Sequence, residues 1–453
     1  MSNLKENKMG TMPVNKLLIT MTLPMMASML IQALYNVVDS MFVAQINEEA
    51  LTALSLAFPV QNLMIGVATG TGVGMNAMLS RALGEKDKDS VNKAASNGVL
   101  LVLIASVLFI VFGIFGSRLF FKSQTDNELI IEYGVQYLTI VTIGSPLLYI
   151  SIISERLMQS TGKTVLSMYT QGLGAITNII LDPILIFVLG WDVVGAAIAT
   201  ILGQLASAVF GIIINQKFNR EVRLELKNMK LHGRTVKKIY SVGVPSIIMV
   251  GIGSVMNYML NSMLITFFST TAAAVLGAYY KIQSFAFMPI FGMNNGIVPI
   301  IAYNYGAGKR SRINKTIKLA VTYATLIMLA AIAVFQIFPE QLLYMFNASP
   351  DMIRIGVPAF RIICLHYLLA GFCISIGSVF QSFGKGVLSM IVSICRQLVV
   401  LIPAAYLLAI AFPENINMFW LCFLIAEVMS ATVSLICFAH IRKTIIRNVP
   451  DNL

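Results

Sequence analysis

Charge is scarce in this sequence. Of 453 residues only 11% are Asp, Glu, Lys or Arg, against 57% hydrophobic. A soluble globular domain carries about 25% charged residues. A chain this long cannot cover a water-facing surface with so few charges. An ordinary soluble enzyme and a disordered protein are therefore both excluded. Cysteine is also scarce. Cys364, Cys373, Cys395, Cys422 and Cys437 all lie in apolar stretches of the second half, odd in number and without a CxxC spacing. No disulfide frame or zinc site is expected. The three histidines, His232, His366 and His440, are scattered, so no Ser/His/Asp or metal-ligand constellation points to an enzyme. Gly162-Lys163-Thr164 looks like the end of a phosphate loop, but Leu157 stands where the motif needs its first glycine. Without an ATP site, energy must come from an ion gradient. No cleavable signal peptide is expected, because residues 1–16 are polar and the apolar stretch after them is long enough to stay in a membrane.

What is present is apolar sequence in membrane-length pieces. A helix needs about 20 apolar residues to cross a bilayer. Charge clusters and turn residues cut the chain into twelve such segments: 17–44, 51–79, 95–117, 133–158, 164–190, 193–217, 236–267, 273–303, 316–338, 353–381, 386–411 and 417–440. The fold class is an all-α polytopic membrane protein. Net charge is +12, but the bases sit in short clusters between spans, so nucleic acid is not expected as a partner. Alternate loops hold Lys5, Lys8 and Lys16, then Arg81, Lys86, Lys88 and Lys93, then Lys163, with further clusters at 217–238, 309–318 and the tail. The opposite loops hold little beyond Arg118, Lys122 and Arg354. Positive residues mark the inside, so both termini are expected in the cytoplasm.

The chain is a duplication. Gln159-Ser160-Thr161-Gly162-Lys163 matches Gln381-Ser382-Phe383-Gly384-Lys385, and Val165-Leu166-Ser167-Met168 matches Val387-Leu388-Ser389-Met390. The same offset of 222 (381 minus 159) relates Gln61 to Gln283, Gly74 to Gly296 and Gly84 to Gly306. With one residue of slack, Pro24 pairs with Pro245 and Asp39 with Asn261. Six helices are repeated, so both copies keep one orientation and are related by a pseudo-two-fold axis along the membrane normal. The reading is a first lobe of 1–217, a basic cytoplasmic linker of 218–235 and a second lobe of 236–453. Two such lobes with a site between them suit a secondary transporter.

Four acids lie inside spans: Asp39, Glu155, Asp182 and Glu427. An acid in hydrocarbon costs several kcal/mol and is a functional candidate by default. At 1.5 Å rise per residue, Asp39, Asp182 and Thr200 sit roughly 7–12 Å below the outer surface. Asn178 is one turn before Asp182 on the same face. These four oxygen donors suit a cation site for Na⁺, and two close carboxylates also share a proton readily. The bland reading of the same residues is a hydrogen-bond network between helices. Glu427 is expected as a lone second-lobe acid facing the central cavity, with pairing to a structural base as the alternative. For Glu155 a local ion pair with Arg156 or a gate contact is expected. Gln32, Tyr35, Asn36, Gln61, Asn257, Asn261 and Gln283 lie mid-span and are expected to line a substrate cleft. Pro24 weakens the backbone ladder of span 1 and marks a helix bend.

The order of these features resembles the multidrug and toxic compound extrusion (MATE) family over essentially the whole chain. The marks are Leu23-Pro24, Val38-Asp39-Ser40-Met41-Phe42, Gln159-Ser160-Thr161-Gly162, Asn178 through Asp182-Pro183, Val194-Gly195-Ala196-Ala197 with Thr200, Ile300-Ile301-Ala302-Tyr303-Asn304, and Ala426-Glu427. The resemblance implies a V-shaped exporter that expels amphipathic, often cationic drugs in exchange for Na⁺ or H⁺. It places the coupling-cation site on Asp39, Asn178, Asp182 and Thr200, with no other cofactor. Spans 7 and 10 offer no acid for the second-lobe site of another branch. A monomer in the lipid bilayer is expected. A lipid-linked precursor flippase of the same superfamily is the runner-up, for which Lys281, Arg361 and Arg396 are the candidate cavity bases.

Overall fold

The computed structural model describes residues 6–222 and 230–451. Lys5 and residues 223–229 of the expected linker lie outside the described residues. The first half contains α1 (Lys8–Thr11), α2 (Val14–Ala44), α3 (Glu48–Gly84), α4 (Lys88–Phe115), α5 (Ser117–Lys122), α6 (Glu128–Ile143), α7 (Ser145–Ser160), α8 (Thr164–Pro183) and α9 (Asp192–Phe218). The second contains α10 (Gly233–Phe267), α11 (Thr270–Gly306), α12 (Arg310–Ile337), α13 (Pro339–Tyr344), α14 (Pro350–Ile363), α15 (Tyr367–Ser382), α16 (Gly386–Ile394), α17 (Ile402–Ala411), α18 (Ile416–Phe419) and α19 (Leu421–Thr444). Among the described residues the only β-pairing is an isolated bridge between Lys309 and Asp451.

Among the described residues eleven helices or continuous helical stretches are long and apolar enough to span a membrane, and α6 with α7 makes a twelfth. The sequence suggests one unbroken helix over 133–158. The structure instead bends by 48° between α6 and α7. Pro146 has no N–H to give the Thr142 carbonyl, so the ladder breaks at Gly144. Two other spans are interrupted similarly: a 3₁₀ turn, Cys364–His366, lies between α14 and α15, and a π turn, Cys395–Leu401, precedes Pro403. By contrast, α2 is α-helical on both sides of Pro24.

The duplication is visible in the backbone. Asn47 caps α3 by accepting from Ala50 N at 2.7 Å, and Ser269, 222 residues later, caps α11 by accepting from Ala272 N at 3.1 Å. The turns after α7 and α15 both use a glycine in the left-handed region, Gly162 at φ 82° and Gly384 at φ 73°, where only glycine is free of strain.

The two halves meet through α2 and α3 on one side and α10 and α11 on the other. Glycines allow the approach. A Cβ at Gly70 would lie 2.8 Å from the Gly243 carbonyl oxygen, and one at Gly292 would lie 2.6 Å from that of Met25. A Cβ at Gly84 would strike the Tyr303 carbonyl, and one at Gly306 the Arg81 carbonyl. These last contacts are reciprocal, since 84 and 306, like 81 and 303, are 222 apart. Reciprocal contacts identify a two-fold interface. In a membrane, lipid removes the hydrophobic drive between helices, so close van der Waals packing of small residues holds them. All the glycine contacts between halves run from mid-helix toward the basic-loop ends. Gly74→Leu would drive a side chain into the Ile239 carbonyl. It is expected to part α3 from α10 and abolish transport while every span stays inserted, as a protease-protection map beside a transport assay will show.

The chain's beginning straps the same side. Arg312 Nη2 donates to the Met9 and Met12 carbonyls at 2.9 and 2.7 Å, and Lys309 pairs with Glu6 at 2.7 Å. Asn7 Nδ2 donates to Glu221 at 2.8 Å and to the Thr161 carbonyl at 3.0 Å, while its backbone N–H reaches Tyr303 Oη at 3.3 Å. Residues 6–12 therefore bind both halves together.

Candidate cation and substrate site

In the first half the structure brings Asp39, Asn178, Asp182 and Thr200 together, on α2, α8 and α9. Asn178 and Asp182 are one turn apart on α8 and both are buried. The Asn178 amide satisfies both neighbours in one orientation, its nitrogen donating to Asp182 Oδ2 at 3.0 Å and its oxygen accepting from Thr200 N at 3.2 Å. Amide orientation is assigned from such networks. Gly203 makes room, because a Cβ there would stand 3.1 Å from Asn178 Cβ. The Thr200 hydroxyl donates to the Ala196 carbonyl at 3.0 Å and keeps its lone pairs for other partners.

Asp39 faces Asp182 within hydrogen-bonding reach. Asp39 Oδ1 is buried and receives no hydrogen bond. Two ionised carboxylates cannot satisfy one another, since both only accept. A proton or a cation between them supplies what is missing. Around this pair stand Tyr35 and Tyr137, whose hydroxyls both reach Thr200. Gln61 Nε2 donates to Tyr137 Oη at 2.9 Å, and Gln171 Nε2 donates to Gln32 Oε1 at 3.1 Å, tying α8 to α2 below the acids. Asn36 is exposed on α2. Tyr137, on α6, is absent from the sequence-derived set. Its neutral side chain lies five turns before Glu155, the acid of its own span, so nothing in the sequence singled it out.

The second half differs. Asn261, which replaces Asp39 in the repeat, donates to Asn257 Oδ1 at 2.8 Å on one face of α10. Gln283 is half-buried on α11. No hydrogen bond among the described residues joins these three to the first-half cluster or to Glu427. Glu427 is not the lone acid that the sequence suggests. It is buried on α19, with Arg396 Nη1 3.4 Å and His366 Nδ1 3.5 Å from Oε2. His366 Nε2 in turn lies 3.1 Å from Tyr279 Oη. Both bases come from the helix interruptions, His366 from the 3₁₀ turn and Arg396 from the π turn. The breaks turn them toward α19.

The expected Glu155–Arg156 pair is also replaced. Arg156 reaches across the halves instead, donating to Gln159 Oε1 and to Asn295 Oδ1 on α11, each at 2.9 Å. Gly72 leaves the space, since a Cβ there would lie 2.7 Å from Arg156 Cγ. Among the described residues no three His, Cys, Asp or Glu side chains converge as metal ligands. The first-half set is two carboxylates with neutral oxygens, all hard oxygen donors.

A duplicated bundle of twelve spans among the described residues, with a close carboxylate pair in one half and a strapped contact between halves, has the architecture of a polytopic helical transporter. The MatE family matches residues 24–184 and 245–407, and the chain belongs to it. It is 26% identical over 434 residues, 94% of each chain, to the multidrug export protein MepA of Staphylococcus haemolyticus. It is 24% identical to an FAD transporter of Shewanella oneidensis, over 87% of this chain and 88% of that one. A solved structure described as the outward-facing conformation of a multidrug resistance MATE family transporter superposes with a TM-score of 0.92 at 26% identity, over 98% of this chain and all of the other.

Proposed function

We propose that this protein exports small amphipathic, often cationic compounds from a prokaryotic cell by exchange for Na⁺ or H⁺. The basic loops and both termini face the cytoplasm, and the chain works as a monomer in the cell membrane. One observation carries the coupling: a buried Asp39 oxygen without a donor, beside a second carboxylate. A cation entering from outside neutralises the pair, with Asn178 and Thr200 supplying neutral oxygens. The neutralised pair no longer repels, α2 shifts at Pro24, where one ladder bond is already missing, and the outer cleft closes after the drug has left. Gln32, Tyr35, Asn36 and Gln61 stand beside this path on α2 and α3, and Asn257, Asn261 and Gln283 on the opposite half. Arg396 is occupied by Glu427, which leaves Lys281 and Arg361 as the other candidate bases and weakens the reading of a lipid-precursor flippase.

Vesicles loaded with a fluorescent cationic dye test this. An imposed Na⁺ or proton gradient, applied separately, is expected to drive dye movement in the wild type, and Asp39→Asn is expected to remove the response to the coupling ion. Dye movement equal to wild type in Asp39→Asn vesicles would take this site out of the mechanism.

A further inference from the structure

A recess of about 430 Å³ lies between the two halves on the basic-loop side. The first half gives it Arg81 and Glu85. The second gives it Lys238, Ser241, Tyr305 and Lys385. Arg81 is held at the seam, with its Nε 2.8 Å from Glu85 Oε1 and its guanidinium 4.5 Å above the Tyr305 ring. Among the described residues no carboxylate lies within ion-pair distance of Lys238 or Lys385. Three cations thus share one concavity with one carboxylate, and that carboxylate is already used. A second recess adjoins it, sharing Ser241, Gly384 and Lys385 and adding Val387, Leu388 and Ile441. Its wall is largely apolar, and Val387 is 46% exposed. Lys385 immediately precedes α16, and Lys238 lies in the second turn of α10, so the cations stand at headgroup depth while the apolar wall leads into the bilayer.

We infer that this recess binds a phosphate-bearing anion, with the apolar wall fitting it for the headgroup of an anionic phospholipid. Two ammonium groups free of carboxylates supply point charges for phosphate oxygens. The recess exists only while the halves touch, because Arg81 and Lys238 come from opposite halves. A ligand that binds one conformation better than another shifts the population toward it. Occupancy therefore favours the state closed on the basic-loop side, independently of which ion drives transport.

The full-length protein is to be placed in nanodiscs of phosphatidylcholine alone, of phosphatidylcholine with phosphatidylglycerol at four to one, and of phosphatidylcholine with millimolar inorganic phosphate. Ligand retention by native mass spectrometry and melting temperature are the readouts. Phosphatidylglycerol is expected to be retained and to raise the melting temperature, and Lys238→Gln with Lys385→Gln should weaken retention about thirtyfold, at about one kcal/mol for each base. Lys16→Gln with Lys318→Gln, exposed bases in the basic-side turns of α2 and α12 and outside the recess, should leave retention unchanged. A comparable effect of inorganic phosphate, lost in the same recess variant, would support the phosphate site and assign it a soluble source. Equal losses in both double variants would reduce the effect to general basicity and overturn the inference, as would no response to lipid or phosphate.

Discussion

Asp182→Asn is expected to abolish gradient-driven efflux while leaving the protein as stable as the wild type, or more so. The amide has the shape of the carboxyl and adds an N–H. Placed beside Asp39, it can donate to the oxygen that lacks a partner. An unsatisfied buried acceptor costs about 1–3 kcal/mol, and the substitution relieves that cost together with the repulsion between two charges. It also removes the second negative charge that draws a cation in. Function and stability should therefore move in opposite directions, as at strained sites generally. Melting temperature and dye efflux, measured on one preparation, check both. Loss of efflux with loss of folding would make the pair structural. Full efflux would dismiss it from coupling.

Glu427→Gln should behave in the reverse way. Glu427 is the only carboxylate paired with Arg396 among the described residues. Removing Glu427 leaves the Arg396 charge uncompensated, at a cost of about 2 kcal/mol because Arg396 is only partly buried. The variant is expected to melt well below wild type. Arg396→Gln combined with Glu427→Gln should recover part of that loss, and a double-mutant cycle isolates the interaction. A second substitution that adds its full separate cost would show that the two groups are not coupled. His366, hydrogen-bonded toward Tyr279, holds the third side of the arrangement and should be left in place.

The spans and the duplication were legible because both are periodic and long. Apolar length and loop charge need no knowledge of tertiary contacts, and a repeat of 222 residues announces itself in matched stretches such as Gln159–Met168 and Gln381–Met390. The grouping of Asp39, Asn178, Asp182 and Thr200 was accessible from depth alone, as each occupies a countable position along a helix. What escaped was lateral. Depth says nothing of which helix stands beside which, so Tyr137 on α6 went unnoticed. It also assumes regular helices. Arg396 and His366 lie in a π turn and a 3₁₀ turn, and a count at 3.6 residues per turn misplaces the faces of residues in either. The reach of Arg156 to Asn295 depends on missing atoms at Gly72, a vacancy that only the packing of α7 against α3 reveals.

The reciprocal glycine contacts carry a consequence for how the molecule came to be lopsided. A single half has both the donor and the recipient of each contact, as Arg81 and Gly84 are met by Tyr303 and Gly306. Such a surface is self-complementary, and an ancestral half-length chain bearing it could pair with its own twin. Two identical twins would each have carried the same acids and would have loaded cations in duplicate. Fusion into one chain ends that constraint. One copy could retain Asp39 while the other drifted to Asn261, and the freed copy could bind its remaining acid, Glu427, permanently to a base. The result is a near-symmetric frame in which the close carboxylate pair stands in one half only.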